Sequence, residues 1–357
     1  EIAQAQLDRQ QRLLDAEVIT QSEFETATLS FANAQASLVR AQTNFDLAEV
    51  MDTSNEFIIE RTGIATRRFA PPEMSATDLA ALGCRAAMDD AGVGPDDIDL
   101  LIMNTITPDH PEPGCAFFLQ PKLDMAGIPV LDIRQQCAAF IYQLSLADHY
   151  IKVGTCRNVL VVCAETNSKF LDYSNEGRNL TVLLGDGAGA AVIGPAGDDE
   201  EGIRSVILHA DGIGARSVYR KAPGSALGRS EHLTIEDIET GRIHSRMDGK
   251  FTAEHGIAKM TAVMFELLEA NSISIDDVDL IVPHQPNLRM LEAIAEKTGF
   301  PQEKFFINVV EHGNMASATT PIALDQARRA GRAGDGALVL VVAFGAGFSW
   351  GAALVRM

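Results

Sequence analysis

The sequence has few of the residues that cross-link proteins or anchor them in membranes. It contains five cysteines among 357 residues, and their odd number and lack of a Cys-x-x-Cys pair argue against a disulfide framework and a structural zinc site. The longest apolar stretch, residues 337–348, is too short and too often interrupted by glycine to span a membrane. No charged segment followed by an apolar one marks a secretion signal, so we expect a cytoplasmic protein with reduced thiols.

Basic side chains are also scarce. Lys and Arg number 29 against 49 Asp and Glu, which gives a formal net charge of −20. This balance argues against nucleic-acid binding, because phosphate contacts need a basic surface. Apolar residues make up 46% of the chain, so a protein of this length can bury a large core and form two or three domains.

An internal repeat predicts the fold. Residues 97–102 (Asp-Ile-Asp-Leu-Leu-Ile) recur as residues 277–282 (Asp-Val-Asp-Leu-Ile-Val), and the Leu-Val-Val run at 160–162 recurs at 340–342. Both blocks are displaced by the same 180 positions. A constant offset over two separated blocks indicates a duplicated unit rather than a coincidence of composition.

Each copy also places a helix-like stretch before an Asp-Asp turn and an apolar strand. These stretches cover residues 77–91 and 254–271. Alternation of this kind is typical of parallel strands joined by crossover helices, and two copies predict two packed α/β halves. We place the halves at residues 46–200 and 201–357, after a separate segment at 1–45.

Cys137 is a candidate catalytic nucleophile. It follows an apolar, strand-like segment at 130–136 and opens a helix-like run at 138–144. A thiol at a strand-to-helix junction lies near unpaired N–H groups and the positive end of the helix dipole, so we expect a lowered pKa. The alternative is a buried core cysteine, which is our interpretation of the other four: Cys84, Cys115, Cys156 and Cys163.

Two later segments supply partners for such a nucleophile. His284 ends the strand-like residues 279–283, and Asn314 lies in a turn of small residues after the strand-like residues 305–308. A lone histidine or asparagine of this kind is most often structural. A thiol, an imidazole and a carboxamide at three strand ends instead fit an active site, because open α/β sheets gather their sites there.

These motifs make the chain resemble the beta-ketoacyl-acyl carrier protein synthase III family, which has the thiolase fold. The resemblance covers about residues 46–357 and rests also on four further segments: residues 52–64, 185–190, 247–250 and 344–351. It implies a catalytic triad of Cys137, His284 and Asn314. It also implies an oxyanion hole formed by the N–H groups of Cys137 and Ala346.

The activity implied by this resemblance is a decarboxylative Claisen condensation. An acyl-CoA would load Cys137, and a malonyl thioester, most simply malonyl-acyl carrier protein, would then react with the acyl-cysteine. The product would be a 3-ketoacyl thioester for fatty acid or related secondary-metabolite biosynthesis. The resemblance implies a homodimer and no metal or redox cofactor.

Four residues are expected to bind substrate by the same resemblance: Phe57, Arg61, Glu112 and Asn287. Phe57 stands where many members have a tryptophan against the coenzyme A adenine, and it keeps an aromatic face. Glu112 stands where the housekeeping enzymes usually have a phenylalanine, so the usual short acyl chain is in doubt. A specialised homologue that transfers an acyl group to another acceptor is therefore an alternative.

Docking of an acidic carrier protein would need a local basic patch. Arg289 and Lys297 lie eight residues apart and so on roughly one face of the helix expected after His284. Glu292 and Glu296 lie among them and dilute this charge. The alternative interpretation is a solvated helix with mixed charges.

Residues 1–45 depart from the family, which begins with a strand and a Gly-x-Gly turn. Phe24, Phe31, Leu38 and Phe45 are spaced by seven, a pattern that predicts a helical hairpin with coiled-coil character. The segment resembles the hairpin of membrane-fusion adaptor proteins. A second function class is therefore an adaptor in which the synthase part is inert, and we expect loss of the first strand to leave unpaired backbone among parallel neighbours.

Overall fold

The computed structural model describes residues 47–196 and 202–357, so the hairpin predicted for residues 1–45 lies outside the described residues. Within this part of the chain, no helix is long and apolar enough to cross a membrane. Two mixed four-stranded sheets and a small two-stranded sheet form the framework.

The first sheet has the strand order β2-β1-β3-β4. β1 (Leu100–Asn104) is parallel to β2 (Val130–Ile133) and to β3 (Val159–Glu165). β4 (Gly187–Ile193) returns antiparallel to β3. Every residue of β1 and β3 is buried, which matches their continuous apolar sequences.

The second sheet repeats this arrangement with the order β5-β10-β9-β8. β8 (Leu280–Pro283) is parallel to β9 (Leu338–Gly345), and β10 (Ser349–Arg356) is antiparallel to both β9 and β5 (Gly202–Ala210). The pair β6 (Val218–Arg220) and β7 (Ser245–Met247) forms the small sheet.

The helices begin and end where local sequence signals place them. For example, Ser75 and Asp78 form a capping box at the start of one helix, and Gly92 ends it in the left-handed conformation (φ 65°). The helices are α1 (Asn55–Thr62), α2 (Ala76–Ala91), α3 (Cys115–Lys122), α4 (Ala139–Lys152), α5 (Arg178–Thr181), α6 (Ile235–Glu239), α7 (Gly249–Ala270), α8 (Leu288–Thr298), α9 (Val309–His312) and α10 (Thr319–Arg329).

Helices and sheets alternate as five layers. α2 and α3 pack on the outer face of the first sheet, α4 and α10 lie between the two sheets, and α7 and α8 cover the outer face of the second sheet. Successive residues of one strand serve different layers, as when Leu101 faces α2 and Ile102 faces α4. Two duplicated α/β halves packed in layers were predicted, and this architecture is confirmed.

One expectation about a strand needs correction. Residues 305–308 form no full strand, because only Phe305 makes an isolated bridge, to Ile281. The expectation that loss of the first strand leaves unpaired backbone concerns residues 1–45 and lies outside the described residues.

Candidate active site

Cys137 lies in a strained turn between β2 and α4. The turn Gln136–Ala138 is a short 3₁₀ helix, and Gln136 has φ 50°, a left-handed conformation that is uncommon for a residue with a side chain. The end of β9 lies directly against this turn. A Cβ atom on Gly345 would stand 2.8 Å from the backbone nitrogen of Cys137, so only glycine fits there.

The ionisation of Cys137 differs from the sequence-based expectation. Burial, and then the nearby negative charge of Glu165, raise the pKa of the Cys137 thiol to about 12. The expected lowering at the start of a helix is therefore wrong, because loss of hydration outweighs the helix dipole in this interior position. The free protein holds a neutral thiol at physiological pH.

His284 follows β8 and is only 3% exposed. Its backbone N–H donates to the Val342 carbonyl at 2.7 Å, and its Nδ1 atom lies 2.6 Å from Oγ1 of Thr319. Burial lowers the pKa of the imidazole to about 3, so the ring is neutral at physiological pH and can offer either a donor or an acceptor.

Thr319 decides which role the ring takes. Its hydroxyl lies 2.9 Å from the Ala316 carbonyl as well as near Nδ1 of His284, and a hydroxyl has one proton to give. When that proton points to Nδ1, Nε2 carries the imidazole hydrogen and is a donor. When it points to the carbonyl, Nδ1 carries the hydrogen and Nε2 is an acceptor.

Hydrogen bonds to both its backbone and its side chain fix the position of Asn314. Its N–H donates to the Leu183 carbonyl at 2.8 Å, and its carbonyl accepts from the Gly185 N–H at 3.0 Å. Its Oδ1 atom accepts from the Ala316 N–H at 2.8 Å. Because the oxygen is occupied inside the protein, the amide presents Nδ2 as its donor.

The segments that carry these three side chains come from both halves and pack against one another. The turn that carries Cys137 packs against β9 and against a second 3₁₀ turn, Ala316–Ala318. Asn314 lies just before that second turn, and Thr319, just after it, contacts His284. The site thus joins a thiol, a neutral imidazole and a carboxamide.

Glu165 links the two halves beneath this site. The carboxyl group is fully buried and accepts hydrogen bonds from Ser317 Oγ, from Thr107 Oγ1 at 3.0 Å and from the Ile106 N–H at 3.0 Å. Burial raises the pKa of Glu165 to about 7, although these hydrogen bonds oppose the rise. Sequence reasoning missed this residue, and its one signal is an acid at the end of a buried strand.

A second group of residues lies around α1. Phe57 is half-buried, and the guanidinium carbon of Arg178 lies 5.1 Å from the centre of its ring. Arg61 is exposed in the last turn of the same helix. Asn287 caps α8, because its Oδ1 atom accepts from the Met290 N–H at 2.9 Å. Sequence reasoning missed Arg178.

Three further predicted site residues are exposed. Glu112 lies in the loop before α3, and Arg289 and Lys297 lie on α8. Nη1 of Arg289 is 3.0 Å from a carboxylate oxygen of Glu292, so part of its charge is compensated. Among the described residues, no group of three His, Cys, Asp or Glu side chains converges as metal ligands would.

The layered fold and this cysteine–histidine–asparagine arrangement define a protein of the thiolase-like class. One family model, described as 3-oxoacyl-[acyl-carrier-protein] synthase III, matches residues 131–212, and a second, for the C-terminal part of such proteins, matches residues 268–357. The chain belongs to the beta-ketoacyl-[acyl-carrier-protein] synthase III family.

Individual relatives support this membership over most of the chain. A beta-ketoacyl-[acyl-carrier-protein] synthase III from Caldanaerobacter subterraneus is 38% identical over 88% of this chain and 93% of its own length. The crystal structure of 3-oxoacyl-[acyl-carrier-protein] synthase III from Aquifex aeolicus is similar with a TM-score of 0.78 and 36% identity, over 88% of this chain and 94% of that one.

A priming beta-ketosynthase of the R1128 polyketide pathway is also similar. Its structure matches with a TM-score of 0.77 and 30% identity, over 87% of this chain and 90% of that one. The resemblance of residues 1–45 to membrane-fusion adaptor proteins is not borne out by the comparisons.

Proposed function

We propose that this protein is an acyltransferase that condenses an acyl-CoA with a malonyl thioester through an acyl-cysteine. The observation that carries the proposal is the packing of the segments that carry Cys137, His284 and Asn314, with Gly345 directly against the Cys137 amide. The names of the related proteins are consistent with this activity. An inert adaptor would have no need for such an arrangement.

In the first half-reaction, the sulfur of Cys137 attacks the thioester carbonyl of acyl-CoA. The N–H groups of Cys137 and Ala346 would stabilise the oxyanion of the tetrahedral intermediate. The thioester bond to coenzyme A breaks and the new thioester to Cys137 forms, while the thiol proton leaves with coenzyme A. A neutral thiol in the free protein means that this proton moves only when substrate is bound.

In the second half-reaction, a malonyl thioester loses carbon dioxide and becomes an enolate. Nδ2 of Asn314 and Nε2–H of neutral His284 would donate to the enolate oxygen. The enolate carbon then attacks the acyl-cysteine, the Cys137 thiolate leaves and takes up a proton, and a 3-ketoacyl thioester is released. His284 and Asn314 would therefore act in the condensation half-reaction and not in the acylation of Cys137.

The coenzyme A part of one substrate and the carrier protein of the other would bind at two different groups of residues. Coenzyme A would extend toward Phe57, Arg61 and Asn287, with Arg178 beside the Phe57 ring. A malonyl-acyl carrier protein would dock on Arg289 and Lys297. We expect a cytoplasmic homodimer that uses no metal or redox cofactor.

Glu112 supports a second candidate, a specialised relative that takes an unusual acyl group or passes it to another acceptor. An exposed acid in the loop before α3 is a poor lining for a short apolar chain. The similarity to a polyketide priming enzyme agrees with this possibility.

Incubation with a panel of acyl-CoAs, followed by intact mass measurement, tests the proposal. We expect one acyl adduct on the wild-type protein, none on Cys137→Ala, and an undiminished adduct on the matched control Cys156→Ala. An adduct that survives in Cys137→Ala would remove this residue from the mechanism. The acyl-CoA that loads fastest, and whether malonyl-acyl carrier protein then accepts the acyl group, would separate the two candidates.

A further inference from the structure

Glu165 is a fully buried acid without a basic partner. It is the last residue of β3 and has no exposed surface. Among the described residues, no Lys, Arg or His side chain forms a hydrogen bond or an ion pair with it. A buried charge without a counter-ion is costly, and ionisable groups in such surroundings are found mostly at functional sites. Packing of β3 alone therefore gives no reason for an acid at this position.

The hydrogen bonds around Glu165 suit both of its protonation states. Oε2 accepts from the Ile106 N–H at 3.0 Å and from the Thr107 hydroxyl at 3.0 Å. Oε1 is bonded to the Ser317 hydroxyl, a group that can donate or accept. When Oε1 carries a proton, the Ser317 oxygen can accept it and turn its own hydrogen toward the sulfur of Cys163, with which it also interacts. The carboxyl group can therefore gain or lose a proton without leaving its partners unsatisfied.

One intervening turn connects Glu165 with the turn that carries Cys137. The end of β3 packs against the turn Ala316–Ala318, and that turn packs against Gln136–Ala138. The negative charge of Glu165 acts on the Cys137 thiol at this range. Two negative charges held close together in a protein interior oppose each other, so ionisation of either group disfavours ionisation of the other.

The other groups around this thiol bring no competing charge. His284 is neutral, because burial lowers the pKa of its imidazole to about 3. Cys163 on β3 stays a thiol, since burial raises its pKa well above the ordinary value. β9 brings Gly345 against the turn, and Arg134 before the turn is exposed to solvent. In the described part of the chain, Glu165 is the one charged group that shifts the ionisation of this thiol.

We propose that Glu165 is a positioning residue that controls the charge of Cys137: as a carboxylate it keeps the sulfur protonated, and as a neutral acid it lets the thiolate form. The inference rests on the proposed function in treating Cys137 as the reacting thiol. In the condensation the Cys137 thiolate leaves the acyl group, so this step is favoured while Glu165 carries a proton. Because the pKa of Glu165 is about 7, the control acts near neutral pH.

The test measures how fast Cys137 of the full chain reacts with methyl methanethiosulfonate as a function of pH. Peptide mass mapping assigns the methylthio group to Cys137 or to another cysteine. Because the thiolate is the reacting form, the rate should rise about tenfold per pH unit while the thiol is mostly protonated. In the wild type we expect this rise to flatten just above pH 7, where ionisation of Glu165 disfavours the thiolate.

Glu165→Gln should remove the flattening, because an amide stays neutral at every pH of the experiment. A nearby like charge typically raises the pKa of a thiol by about one unit or more, so the variant should react about tenfold faster than the wild type at about pH 8.5. At about pH 5.5, where Glu165 is neutral in the wild type, the two rates should agree.

Two further variants separate this role from a structural one. Ser317→Ala removes a donor that favours the Glu165 carboxylate, so the flattening should move to higher pH. Asp186→Asn is the matched control. Asp186 is also a buried acid, 5% exposed and bonded to Ser168, but its charge does not act on Cys137. This variant should keep the wild-type profile.

Three results would overturn the proposal. They are an unbroken tenfold rise per pH unit in the wild type, the same flattening in Glu165→Gln, and a flattening that stays at the wild-type pH in Ser317→Ala. If Glu165→Gln does not fold, the Ser317→Ala profile still decides the question. No acyl group is transferred in these measurements. A flattened profile without any acyl adduct would therefore reject the proposed function alone, and an adduct with an unbroken profile would reject this inference alone.

Discussion

Replacement of Gly345 by alanine should slow acylation of Cys137 while leaving the protein folded. The added Cβ atom would stand 2.8 Å from the Cys137 nitrogen and 3.0 Å from the Ala138 nitrogen, whereas ordinary contacts begin at 3.4 Å. The turn and the end of β9 must therefore separate by about 0.6 Å. The turn carries the N–H group of Cys137 and the end of β9 leads to that of Ala346, and these are the two donors of the proposed oxyanion hole. The shift would therefore act directly on the reacting groups.

The expected loss is about 100-fold in the rate of acylation. Removal of one oxyanion donor typically costs about 100 to 1,000-fold, and a displacement of about 1 Å at a reacting group can cost about 100-fold. Overpacking also destabilises a protein, typically by about 1 to 3 kcal/mol. The rate must therefore be expressed per folded molecule.

The assay is a time course of acyl-cysteine formation by intact mass, at a temperature where circular dichroism shows the fold to be intact. Gly351→Ala is the matched control, because its Cβ would stand 2.6 Å from the Ile207 carbonyl in the second sheet and none of the three atoms nearest to it belongs to the Cys137 turn. We expect the control to lose stability but to acylate at nearly the wild-type rate. Wild-type acylation by folded Gly345→Ala, or equal slowing in both variants, would refute the assigned role of this contact.

Three further outcomes follow from the site. Asn314→Ala should lose about 100 to 1,000-fold in condensation and much less in loading, and equal losses measured in separate half-reaction assays would contradict its role. Arg289→Glu should raise KM for a carrier-bound substrate and spare a coenzyme A substrate, with an effect that salt reduces because exposed charges are screened over about 8 to 10 Å; equal effects on both would indicate misfolding. Folded Glu165 keeps a proton between pH 4.5 and about 7 that the unfolded chain has released, so it lowers stability as pH rises through that range, by about 3 kcal/mol. Denaturation of Glu165→Gln and wild type at pH 4.5 and 7.5 should show that difference, and parallel pH profiles would contradict it.

Local patterns predicted the elements well. α2 and α7 lie where the helical patterns at 77–91 and 254–271 placed them, because capping and apolar spacing are properties of short segments. The repeat predicted the two halves, since a duplicated sequence folds into a duplicated unit. The strand ends that carry Cys137 and His284 followed from the same patterns.

Local sequence patterns did not predict the contacts between distant segments. Ser317 and Glu165 are 152 residues apart, and Arg178 and the Asp52 carbonyl are 126 apart; nothing in either local sequence specifies such a partner. The pKa of Cys137 was mispredicted for a related reason, because the burial that raises it comes from packing of separate segments. Periodicity shows which face of an element is buried, and not which groups meet there.

The repeat also reaches the active-site turn itself. The 3₁₀ turns Gln136–Ala138 and Ala316–Ala318 are separated by the same 180 positions as the strands. Their first residues share a left-handed backbone, with φ 50° at Gln136 and 46° at Ala316. The strain therefore belongs to the duplicated unit and is present in both halves, so it does not by itself identify the candidate active-site turn.

What distinguishes the two turns is the residue that each one faces. Cys137 and Ser317 are equivalent by the offset, and so are Glu165 and Gly345 at the ends of β3 and β9. The hydroxyl of Ser317 donates a hydrogen bond to the Glu165 carboxyl group, and Ser317 is fully buried. The side chain in this copy of the turn is therefore not accessible to a substrate. Cys137 instead faces Gly345, which has no side chain to contact the sulfur or crowd the amide. The turn at Cys137 therefore leaves its side chain available to react, whereas the turn at Ser317 joins the two halves through Glu165.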